Sequence, residues 1–137
     1  MKTTDIQLVE IDLHPITFKM QCEGETVDGE PIAFPQAELA YRRFLTLHRE
    51  YPERTFVPSV LIDLLWHYHV LDTRKYADDC ERIFGYFLHH DPYFGLGSDE
   101  SLQANNEAWE ATRALWEQVF GEPMIGQCNR CSSTDCR

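Results

Sequence analysis

Positive charge is scarce in this chain. Twelve Lys and Arg stand against 23 Asp and Glu, for a formal net charge of −11. Such a surface repels phosphate backbones, and the only basic pairs, Arg42-Arg43 and Arg74-Lys75, are too short to form a local patch, so a nucleic-acid partner is not expected. Long apolar runs are also missing. None reaches the roughly 18 residues of a membrane span, and the first 20 residues do not read as a signal peptide. No membrane partner and a cytoplasmic location are therefore expected. Cysteine is sparse and odd in number, at five, which argues against a closed disulfide framework and fits reduced thiols. There is no internal repeat and no long linker. No serine sits in a nucleophile-elbow setting, and nothing favours a paired-carboxylate hydrolase over it.

What is present is enough for a core. With 137 residues, 43% apolar and 12% aromatic, the chain predicts one globular domain. Residues 1–126 are assigned to a helical domain and 127–137 to a flexible cysteine-rich tail. The fold expected is mainly α: a compact bundle of about four helices with an extended or short-stranded N-terminal arm. Asp5 to Leu13 alternates weakly, which reads as a strand or equally as a short helix entering at His14-Pro15. Ile16, Phe18 and Met20 alternate with Thr17 and Lys19 at the period of a half-buried strand. Glu23 to Glu30, acidic and glycine-containing, reads as a loop.

Proline and glycine then punctuate four helices, near residues 35–50, 58–71, 73–86 and 100–120. Pro35 opens the first, whose stripe includes Ala37, Tyr41, Phe44, Leu47 and His48; Tyr41 and Phe44 read as core packing. Pro58 sits near the start of the second. Asp72-Thr73 reads as the cap of the third, and Asp99 or Ser101 as the cap of the fourth, which Gly121 and Pro123 end. Trp66 and Trp109 fall on apolar stripes and are expected to be buried.

The organising stretch runs from Val57 to Gly97. It carries four of the six histidines, His67, His69, His89 and His90, with Cys80 and many aromatics. Its first helix is apolar all round, so its polar exceptions are informative. Asp63 and His67 are four apart and share a face, with Ser59 on the same line. His69 points about 200° away from His67 on a regular helix, so the two share a metal only if the helix end unwinds. Cys80 reads first as a small buried hydrophobe and second as a ligand. Of Asp78 and Asp79, one is expected in solvent and one half-buried. His89-His90-Asp91-Pro92 breaks the helix into a loop, where one histidine can turn inward.

The segments WHYHVLDT, YADDC and FLHHDPYFG resemble the glycine-rich domain-containing protein-like family, most closely its short bacterial members. Trp66, His67, His69, Tyr76, Asp79, Cys80 and His90 carry the resemblance, which covers about residues 35–97 and extends weakly beyond them. It implies a mainly helical domain and no established reaction. The sequence contains neither the glycine-rich region nor the RNA-binding domain of some long members, so their plant roles are not carried over.

Burying these histidines and carboxylates is costly unless they are paired or ligated. Imidazole and carboxylate suit zinc, iron, nickel or copper, with zinc or iron foremost, and a catalytic site keeps three protein ligands and an open position. Asp63, His67 and either His89 or His90 can supply such a set, with His69 and Cys80 in reserve. The competing reading is a polar network that only builds the core. In the tail, Cys128, Cys131 and Cys136 have C-x2-C-x4-C spacing, suited to a soft metal or to disulfide exchange; a tetrahedral zinc site needs a fourth ligand, from Cys22, Cys80 or a second chain. Two function classes follow. One is a small protein that binds a divalent transition metal and acts on an unidentified small molecule or peptide. The other is a helical protein–protein interaction module.

Overall fold

A computed structural model describes residues 6–124 and Gly126; Cys128, Cys131 and Cys136 lie outside the described residues. Among these residues the chain forms five helices and a two-residue-per-strand hairpin, a mainly α fold. No helix in it is long and apolar enough to cross a membrane.

The chain enters as an extended strap. Val9, Ile11 and Leu13 are buried at alternate positions, as the weak period of two predicts, yet among the described residues the strap pairs with no strand. Its backbone is satisfied by side chains instead. Thr46 Oγ1 accepts from the Val9 amide at 3.1 Å. Arg42 donates to the Ile11 carbonyl at 3.0 Å, Arg82 to that of Glu10 at 2.6 Å, and Arg49 to that of Gln7.

The first departure from expectation follows. His14–Cys22 is a helix, α1, where the alternation of Ile16, Phe18 and Met20 predicts a strand. The buried positions are Leu13, Ile16, Thr17 and Met20, with Phe18 exposed, which is the spacing of one helix face. Thr17 joins that face because its hydroxyl donates to the Leu13 carbonyl at 3.2 Å. Pro15 stands in the first turn, where a missing N–H costs nothing. The acidic loop after α1 contains a small hairpin, β1 (Thr26–Val27) with β2 (Glu30–Pro31), in antiparallel register. Asp28 and Gly29 both have positive φ, 53° and 79°, the backbone of a tight hairpin turn. Tyr68 reaches this region, its hydroxyl directed at Glu23 and Glu25.

The four expected helices are present. Helix α2 (Phe34–Glu50) carries Pro35 in its first turn and ends before Pro52. Helix α3 (Val60–Leu71) is capped by Ser59, whose hydroxyl accepts from the Ile62 amide, so Pro58 precedes the helix. Helix α4 (Thr73–Ile83) is capped by Asp72 and stops three residues short of expectation, ahead of Gly85 at φ +79°. Helix α5 (Asp99–Phe120) is capped by Ser98 through the Ser101 amide, not by Asp99 or Ser101. Helix α3 packs against α1, α2 and α4, which explains why it has no wholly polar face. Thr112 of α5 accepts from the Val57 amide at 3.0 Å and pins the start of α3. Trp66 and Trp109 are both buried.

Candidate metal centre

Helix α3 is regular through Leu71, so Asp63 and His67 stand one turn apart on the same face. The loop after α4 brings His90 to them. His90 Nε2 lies 2.6 Å from Asp63 Oδ1 and His67 Nε2 lies 3.4 Å from Asp63 Oδ2. The two imidazoles therefore approach the two oxygens of one carboxylate, with ring centroids 4.9 Å apart. One potential ligand atom from each residue falls within 4.8 Å of the others. Asp63 is buried and His90 half-buried, while the His67 side chain is 53% exposed. The group thus opens to solvent on one side.

The surrounding aromatics choose His90 over His89. Trp66 stacks on the His90 ring at 4.1 Å and 30°. The indole Nε1 donates to the Tyr76 hydroxyl at 2.9 Å, and that hydroxyl donates to the Leu88 carbonyl. Two residues before His90, the loop is thereby tied to both α3 and α4. Gly95 closes the loop against α5. Its φ is +88° and a Cβ there would come within 3.1 Å of Asn105, so both the backbone and the space call for glycine. His89 is exposed beside Phe87 and stands outside the group.

His69 and Cys80 stand outside it as well. His69 is fully buried, with Nδ1 2.7 Å from the Tyr41 hydroxyl and Nε2 2.8 Å from Asp79 Oδ2. The Asp79 carboxylate can only accept when ionised, so Nε2 carries the proton and the Tyr41 O–H donates to Nδ1. Both ring nitrogens are thereby used. Burial works to raise the Asp79 pKa, but hydrogen bonds from His69, Arg82 and Lys75 outweigh it and hold the carboxyl below its usual value. Burial likewise holds the His69 pKa down, against the pull of Asp79. Asp78 is exposed, as the sequence predicts, while Asp79 is buried and not half-buried. Cys80 is a buried free thiol whose pKa is pushed up by burial.

A cleft of about 370 Å³ adjoins the group, with Asp63, Trp66, His89 and His90 among its lining residues. His48 of α2 lines it too. The sequence places His48 simply on an apolar stripe, and its neighbours are indeed the rings of Phe44, Phe56 and Trp66. Its Nε2 is buried without a hydrogen-bond partner among the described residues. Burial lowers its pKa from 6.5 to about 4. A histidine on an otherwise apolar helix face was the one available signal.

Two proteins of Arabidopsis thaliana are similar to this chain. Glycine-rich domain-containing protein 2 is 31% identical over 125 residues, and glycine-rich domain-containing protein 1 is 30% identical over 125 residues. Each match covers 88% of this chain but 15% of the relative, so the chain spans a small part of these curated relatives' length. No solved structure matches. The UCP032817-like family model matches residues 17–125, a span that holds all five helices except the first residues of α1 and extends well past the 35–97 region of the sequence resemblance. Asp63, His67 and His90 all lie inside it, and the chain belongs to the UCP032817-like family.

Proposed function

We propose that this protein binds one divalent transition metal through Asp63, His67 and His90. The observation that carries this is the convergence of three ligand atoms, from one carboxylate and two imidazoles, within 4.8 Å. Two imidazoles and a carboxylate with open positions suit zinc or ferrous iron. Each histidine Nε2 faces a carboxylate oxygen, and these are the atoms a metal would take, in competition with protons. The open side at His67 and the adjoining cleft leave room for a further ligand on the metal. The reaction, if the site is catalytic, would act on a small molecule or peptide reaching it through that cleft.

A second reading has its own support. The 2.6 Å contact between His90 and Asp63 already satisfies a buried carboxylate, and the group then serves only to hold the loop onto α3 of an interaction module. Metal content separates the two. Tag-free protein is expected to take up one equivalent of zinc or ferrous iron in titration calorimetry, with a higher melting temperature that chelator reverses. His67→Ala should abolish stoichiometric uptake yet fold normally, because that side chain is half exposed. His69→Ala should leave uptake intact. Protein that is metal-free by elemental analysis, with a melting curve indifferent to chelator and to added metal, leaves the interaction module.

A further inference from the structure

We infer that Tyr76 is a positioning residue of the metal centre: its hydroxyl, set between the Trp66 indole and the Leu88 carbonyl, holds His90 where it can ligate. This rests on the metal reading above, and Tyr76 itself supplies no ligand atom.

The three proposed ligands are not held alike. Asp63 and His67 belong to one regular helix, α3, which fixes them a turn apart. His90 lies between α4 and α5, outside any helix or strand. Gly85 and Gly95, at φ +79° and +88°, bracket its stretch. Ordering such a stretch at the moment of binding would subtract from the affinity for a metal. The backbone beside His90 therefore has to be fixed beforehand.

Tyr76 of α4 does this. Its hydroxyl accepts from Trp66 Nε1 at 2.9 Å and donates to the Leu88 carbonyl. A hydroxyl used at both ends is directional at both ends. The Phe87 ring also packs on that of Tyr76, at 5.1 Å and 83°. Both Tyr76 and Trp66 are buried, so water does not compete for these bonds.

The orientation of the His90 ring depends on the same chain. A metal-bound imidazole is usually held through its second ring nitrogen. Among the described residues the one hydrogen bond to the His90 ring is at Nε2, from the side of Asp63. The face of Trp66, stacked on it at 4.1 Å and 30°, sets its plane instead. Trp66 thus meets His90 with its face and Tyr76 with its N–H. Leu88, His89 and Asp91 also line the cleft, so one hydroxyl fixes both a ligand and part of the cleft wall.

The test measures zinc affinity of the full, tag-free chain by competition with a chromophoric chelator, following the equivalent that His67→Ala abolishes. Tyr76→Phe keeps the ring and removes the hydroxyl. It should weaken binding about 10- to 100-fold, as loss of a group that orients a ligand does. Tyr41→Phe is the control, because it takes a hydroxyl from the buried network of His69 and not from this chain. It should leave the affinity within about twofold. A merely structural role for Tyr76 would lower the melting temperature and leave zinc affinity unchanged, and that result overturns the inference while the metal site stands. Equal losses in the two variants overturn it as well, since they report a general loosening of the core. If circular dichroism shows Tyr76→Phe unfolded, Trp66→Phe replaces it: this keeps a ring against His90 but removes the N–H, and it should weaken binding several-fold, with unchanged affinity again overturning the inference. Wild-type protein that takes up no zinc overturns the metal reading and this inference together.

Discussion

His48 should set much of the acid sensitivity of the fold, and replacing it with phenylalanine should remove that sensitivity. The imidazole packs against Phe44 at 4.8 Å, Phe56 at 5.0 Å and Trp66 at 5.7 Å between ring centroids, and burial is what moves its pKa. Its pKa falls from 6.5 to about 4 on folding. Between those values the unfolded chain binds a proton that the folded one does not, so stability rises with pH across the window. Read downwards, stability begins to fall as the pH drops through the unfolded value and stops falling near the folded one. Integrating between pH 7 and pH 4.5 gives a loss of roughly 2–3 kcal/mol from this residue alone. Urea denaturation followed by tryptophan fluorescence at these two pH values measures it. Other groups titrate in the same range, and His69 shifts in the same direction, so the quantity that matters is the difference between the two proteins. The drop in unfolding free energy should be smaller in His48→Phe by roughly 2–3 kcal/mol. Equal drops in the two proteins would refute the claim that His48 is held neutral in the folded state.

Two other outcomes follow from the same structure. Tyr41→Phe should destabilise the protein by roughly 1–3 kcal/mol in denaturant titration, because the buried Nδ1 of His69 loses its donor, while metal uptake measured by calorimetry stays unchanged. Deleting residues 127–137 should leave the melting temperature nearly unchanged and lower thiol-dependent metal uptake, if Cys128, Cys131 and Cys136 bind a soft metal; equal uptake with and without them rules out that role.

The helices α2 to α5 were legible because proline, glycine and capping residues mark their ends and apolar residues recur at helical spacing. Helix α1 was not. Its buried face includes Thr17, which counts as polar until its hydroxyl is seen bonded to Leu13, and omits Phe18, so the apolar residues alternated by accident. The Asp63–His67 pair could be read from a spacing of four on a buried helix. The choice of His90 over His89 could not, since it depends on the Trp66 ring and on the tie from Tyr76 to Leu88. His69 shows the reverse case. Its place beside His67 in sequence suggests a shared site, yet helix geometry sends it to a separate buried network with Tyr41 and Asp79, partners 28 and 10 residues away. His48 stayed hidden because a neutral imidazole occupies an apolar stripe as a small aromatic would.

The N-terminal strap bears on the order in which the chain assembles. Its ties to Arg42, Thr46, Arg49 and Arg82 span 31, 37, 42 and 72 residues, and each needs the helix that supplies the side chain. Closing such long loops costs entropy before any contact rewards it. The strap can therefore lock only after α2 and α4 are in place, as a late step in folding. The same dependence makes it an early point of release, with the Val9 amide opening to hydrogen exchange ahead of the helical core.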